Sequence, residues 1–112
     1  MFPRVVKSTQ GLSRPALYLN IRSVHVEQKL EELGFTLAPG APKANYVSAM
    51  RSGPLLYLSG HIPYANGCSG DLIVGKVGDT MDEEAAYKAA RMCGIGLLGT
   101  IKHEIGDLDK VK

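Results

Sequence analysis

Three consecutive residues, Ser59, Gly60 and His61, follow the apolar run Leu55-Leu56-Tyr57-Leu58. They offer a hydroxyl, a backbone that can approach a ligand or turn, and an imidazole. Polar groups at the end of a buried strand stand at the rim of a core, where ligand pockets form. The alternative is that Ser59 and Gly60 simply end the strand, which is the plainer reading of the pattern alone. Tyr46 is either a pocket aromatic or a half-buried strand aromatic. His61 is either a hydrogen-bonding group of the pocket or a loop histidine with ordinary solvent contacts. Cys68 and Cys93 lack CxxC spacing, and with three scattered histidines they make no zinc pattern. Free thiols in a reducing compartment are the simplest reading. Cys93 is expected in the core, and Cys68 in an exposed loop with no basic neighbour to activate it. His25 precedes the first helix as a candidate cap, and His103 and Glu104 look like a solvated face. The sequence has no Ser-His-Asp order, P-loop or dinucleotide fingerprint.

The elements that must position these groups follow from periodicity. Leu55, Tyr57 and Ser59 alternate with Leu56 and Leu58, and both faces are apolar, which predicts a strand covered on both sides. Residues 45–51 alternate as its hairpin partner, with Ser52-Gly53-Pro54 as the turn. Residues 26–34 read as a short helix with Leu30 and Leu33 inward and Gly34 at its C-terminal cap. Residues 35–42, with Pro39, Gly40 and Pro42, form an irregular connector. Beyond His61 the chain is loop, with Asn66-Gly67 as a tight turn and residues 71–74 as a short edge strand. Thr80 and Glu83 have the spacing of a capping box that opens a long helix. Ala86, Ala90, Cys93, Leu97 and Ile101 form one apolar stripe along it. Gly94, Gly96 and Gly99 conflict with that reading at about 1 kcal/mol each relative to Ala. Gly106 stops the helix, and Val111-Lys112 looks like the first step of a strand. The sheet is therefore expected to be unfinished, completed by a partner or by more chain.

With 112 residues, 45% hydrophobic and 21% charged, the composition is that of one small globular domain. No apolar run is long enough to cross a membrane. Residues 1–26 hold Arg4, Lys7, Arg14 and Arg22 and no acid, while the rest holds nine basic and eleven acidic residues, a net of −2. A body of that charge without a basic stripe argues against nucleic acid as a partner. At about 100° per residue, Phe2, Val5, Val6, Thr9 and Leu12 share one side and Arg4, Lys7 and Arg14 the other. Residues 1–22 thus read as an organellar transit peptide, placing the protein in the mitochondrial matrix or another organelle. The alternative is a disordered tail on a cytoplasmic protein. Residues 23–112 are the folded domain.

That domain resembles the Rid family of reactive intermediate deaminases, also called YjgF-like and once labelled L-PSP endoribonucleases. The resemblance rests on Ala41-Pro42-Lys43-Ala44-Asn45-Tyr46-Val47-Ser48-Ala49, on Arg51-Ser52-Gly53, and on residues 55–63, which are similar to the family's "lyvSGQiP" signature. Gly106-Asp107-Leu108-Asp109-Lys110-Val111-Lys112 is similar to its "Gs-l-ddVvK". The subgroup that opens with a short "LEELG" helix is the best match.

The resemblance implies an α+β, chorismate-mutase-like fold, a sheet with helices on one face, here C-terminally incomplete. It implies a homotrimer with pockets between subunits. The implied reaction is hydrolysis of an enamine or imine derived from an amino acid to a 2-keto acid and ammonia, with no metal or organic cofactor. By the same resemblance Tyr46, Ser59 and Gly60 are catalytic candidates, and Tyr46, Ser59, Gly60 and His61 bind substrate. His61 stands where many members have Gln, and Gly96 where many have Asn. The family's carboxylate-binding arginine and a pocket acid fall beyond the position of Lys112. A non-catalytic trimeric module binding a small carboxylate or a protein is the alternative. An RNA-cleaving role, suggested by the older label, sits poorly with the −2 body.

Overall fold

The computed structural model describes residues 25–112, so the transit-peptide reading of residues 1–22 lies outside the described residues. The described architecture is α+β: two helices, a two-stranded antiparallel sheet and a 3-10 turn, in the order α1 (Val26–Glu32), β1 (Ala49–Ser52), β2 (Leu55–Leu58), α2 (Glu83–Ile105) and the 3-10 helix Leu108–Lys110. Among the described residues no helix is long and apolar enough to cross a membrane.

Helix α1 is held at both ends by identifiable bonds. At its start, the Asp109 carboxylate accepts from the backbone N–H groups of His25 and Val26, at 3.1 and 3.0 Å. This supplies from across the sequence the cap that no local side chain provides. At its end, Gly34 N–H donates to Glu31 O and Phe35 N–H to Leu30 O, both at 2.9 Å. That pair is a Schellman motif, and Gly34 takes the left-handed φ of 80° that it requires. Leu30 is half-buried as expected, whereas Leu33 is exposed, because it falls on the solvent side of the last turn. Glu27 Oε1 accepts from Leu108 N–H at 3.1 Å, so α1 and the 3-10 turn bind each other reciprocally.

The hairpin forms with Ser52 opposite Leu55 and Ala49 opposite Leu58. Gly53 takes a positive φ of 56°, and Pro54 cannot, so the two-residue turn has the pattern of type II′. The first strand is shorter than the expected 45–51. Tyr46 N–H folds back onto Ala44 O and the Ser48 hydroxyl donates to Gly40 O, which bends the chain before Ala49. The second strand is covered on one side only. Leu56 and Leu58 are half-buried and share a cleft with Ile101 and Ile105 of α2. Met50, Leu55 and Tyr57 alternate onto the other face, 66%, 57% and 59% exposed. The continuous apolar run correctly marked two apolar faces, but this chain supplies a cover for one.

Residues 71–74 do not form a strand. A single bridge pairs Tyr64 with Leu72, flanked by Ala65 N–H to Asp71 O and Ile73 N–H to Pro63 O. Cys68 in this region is buried rather than exposed.

Helix α2 is capped by Asp82, whose carboxylate accepts from Ala85 N–H at 2.7 Å. Thr80, the expected cap, instead accepts from Lys76 N–H in the preceding turn. Gly106 ends the helix with φ 82°. The buried face is also one step away from the expected stripe: Ala89, Ile95, Gly96, Gly99 and Thr100 are buried, while Ala90 is exposed. The glycines explain the offset. A Cβ on Gly96 would lie 2.6 Å from Gly67 O, and one on Gly99 would collide with the Ala38 carbonyl. The loops around Ala38 and Gly67 therefore lie directly on the helix backbone. Contact of that closeness offsets the propensity cost of glycine.

Candidate functional site

The bend that shortens β1 also forms a cavity. It lies between the connector and the segment leaving β2, and its walls include Gly40, Tyr46, Ser48, Gly60, His61 and Tyr64. Its volume is ≈ 10 Å³, room for about one water molecule. None of its lining side chains is a carboxylate, a lysine or an arginine. Tyr64, 5% exposed, anchors the wall to the small core.

His61 is tied on both sides. Its Nδ1 lies 2.9 Å from Ser59 O and its Nε2 2.7 Å from Thr100 Oγ1. A carbonyl only accepts, so Nδ1 carries the proton, and Nε2 of the neutral ring then accepts from the Thr100 hydroxyl. This tautomer is assigned from the partners. Thr100 Oγ1 in turn accepts from Gly40 N–H at 3.4 Å. The chain of bonds connects the connector, α2 and the strand exit through a threonine that is 2% exposed. His61 is thus a half-buried strut rather than a loop histidine with ordinary solvent contacts.

Ser59 does not line the cavity. Its N–H and hydroxyl both donate to Ser48 O, at 3.0 and 3.1 Å, which prolongs the hairpin ladder by one pair. Gly60 does line it and is exposed, and a Cβ there would meet nothing within 4 Å. No contact within the described chain requires glycine at this position, and the space above it is open to a visitor. Tyr46 is 41% exposed at the mouth, and among the described residues its hydroxyl has no internal partner. It is the exposed side chain of the site with a polar head still to offer.

Of the residues singled out by sequence, Tyr46, Gly60 and His61 meet around one cavity, with Ser59 supporting it from the ladder. Thr100 escaped notice, and Gly40 and Ser48 were read only as connector and strand residues with no part in a site. Thr100 lies one position off the expected apolar stripe. Its only local signal is a hydroxyl next to Gly99 inside a long helix. Among the described residues no group of His, Cys, Asp or Glu is arranged to hold a metal ion.

No family model matches the sequence. The chain is 34% identical over 93 residues to Protein TCP17 of Trypanosoma cruzi, a match covering 82% of this chain and 57% of that protein. It is also similar to the crystal structure of Atu1372 from Agrobacterium tumefaciens, a protein of unknown function, with a TM-score of 0.65, 42% identity, and coverage of 85% of this chain and 57% of that one. The chain thus spans little more than half the length of either protein.

Proposed function

We propose that the chain belongs to a Rid-type enamine/imine deaminase with a chorismate-mutase-like sheet, assembled as a homotrimer. The observation that carries this reading is the cavity sized for one water, walled by Tyr46, Gly60 and His61 directly after the Ser-Gly step. An imine of a 2-keto acid is already an electrophile, so its hydrolysis asks mainly for orientation of the substrate and of one water. The water oxygen adds to C2 while the imine nitrogen gains a proton, giving a carbinolamine. The hydroxyl proton then moves to nitrogen, the C–N bond breaks, and a 2-keto acid and ammonia leave. Tyr46 at the mouth supplies a hydroxyl to the substrate, and Gly60 leaves room for it. No metal or organic cofactor enters these steps.

The test is ammonia release from 2-iminobutanoate generated in situ by an amino-acid oxidase. Acceleration over buffer is expected, and Tyr46→Phe should reduce it by about tenfold or more. No acceleration by assembled protein removes the reading.

A second reading, a non-catalytic module that binds a small carboxylate or a protein, is favoured by the internal use of both His61 nitrogens and of the Ser59 hydroxyl proton. A metabolite released on denaturation, without turnover, supports it. The mitochondrial or other organellar location rests on the sequence of residues 1–22 alone.

A further inference from the structure

Helix α1 is seated by carboxylates rather than by apolar burial. No residue from 26 to 37 is fully buried. The Asp109 carboxylate accepts from the N–H groups of His25 and Val26, the Glu27 carboxylate accepts from that of Leu108, and Lys102 Nζ stands 3.9 Å from Glu27 Oε1. His25 takes a left-handed φ of 44° there, a conformation costly to a residue with a Cβ, and it turns two successive N–H groups onto one carboxylate. The Schellman bonds tie residues 33–35 to the helix, so they travel with it. A cleft lies on each side of this segment. One, of ≈ 180 Å³, lies among Glu27, Glu31, Phe35 and Lys102. The other, of ≈ 530 Å³, has Gly34, Phe35 and Thr36 on one wall and Cys68, Met92 and Ile95 on the other. Cys68 is a free thiol, 6% exposed. At Ala38 the packing changes. Its carbonyl lies on the backbone of Gly99, Pro39 fixes the next φ, and Gly40 N–H is bonded to Thr100 Oγ1. We infer that residues 26–37 are a strap, latched by Asp109 and Glu27 and hinged at Ala38, that swings as one body and bares the Cys68 thiol. Opening exchanges the latch bonds for bonds to water and relieves the backbone of His25. The motion stops at Ala38, so the cavity around Tyr46, Gly60 and His61 keeps its shape.

The experiment is the rate of Cys68 alkylation by iodoacetamide in the full chain, read by mass spectrometry, with Cys93→Ala as the background so that one thiol reacts. Asp109→Ala should raise that rate about tenfold or more, the equivalent of one charge-assisted hydrogen bond. Glu84→Ala, in the first turn of α2 and outside both clefts, should leave it unchanged. In Asp109→Ala the amide exchange of α2 and the 15N shifts of His61 should stay as in wild type, because the hinge precedes Gly40. An alkylation rate indifferent to Asp109→Ala overturns the inference. So does a rise accompanied by equally faster exchange along α2, which would mark general unfolding. Native-state hydrogen exchange of the unsubstituted chain decides the matter even if the variant does not fold. The amides of Lys29, Leu33, Gly34 and Phe35, each hydrogen-bonded within the strap, should share one protection factor, at least about tenfold below that of α2. Protection equal to that of α2 rules the strap out.

Discussion

Among the single residues, Thr100 ties the connector and the strand exit to the long helix. Its hydroxyl accepts from Gly40 N–H and donates to His61 Nε2, deep in a helix face where water cannot replace either bond. Thr100→Val keeps the shape and removes both. A buried polar group left unsatisfied costs about 1–3 kcal/mol, so urea unfolding should show a loss of that size. The 15N shifts of His61 should move at the same time, from a ring protonated at Nδ1 toward a tautomer mixture. A Thr100→Ser variant should restore the Nδ1–H signature. An unchanged His61 spectrum in Thr100→Val would show that the tautomer is set by Ser59 alone.

Helix α2 shows why part of the design was legible in the sequence and part was not. Its existence, its stop at Gly106 and the hairpin turn at Gly53-Pro54 were readable, because each depends on local chemistry. Its buried face was misassigned by one position. Apolarity marks a face that packs by side chains, whereas this helix packs loop backbone onto its glycines. The cavity was half legible for the same reason. Tyr46, Gly60 and His61 belong to continuous stretches, while Thr100 reaches them across 39 residues. Two substitutions separate the kinds of glycine. Gly99→Ala forces a methyl into the Ala38 carbonyl and should destabilise by about 3 kcal/mol or more, above the usual range for overpacking a side-chain core. Gly94→Ala meets nothing within 4 Å and should stabilise by about 0.5–1 kcal/mol, as helix propensity dictates. Thermal melts of the two variants check both signs, and equal effects would contradict the close approach of the loop.

At the scale of the whole molecule, the open face of the hairpin bears on the proposed assembly. Two strands alone make a marginal sheet, and Met50, Leu55 and Tyr57 leave its outer face apolar and uncovered in the single chain. In a homotrimer that face is a natural contact, because burial there removes apolar surface from water without disturbing the helix side. Met50→Lys distinguishes the two situations. Met50 is 66% exposed, so in an isolated chain the substitution should shift stability by no more than about 0.5 kcal/mol. Between copies the same ammonium would be buried without a partner, a cost that an interface cannot absorb. Sedimentation equilibrium should therefore give the mass of three chains for wild type and of one for Met50→Lys. Val74→Lys, at a still more exposed apolar residue outside the hairpin, should sediment as wild type. If Met50→Lys also remains trimeric, the subunits meet elsewhere and the apolar face of the hairpin must be explained without them.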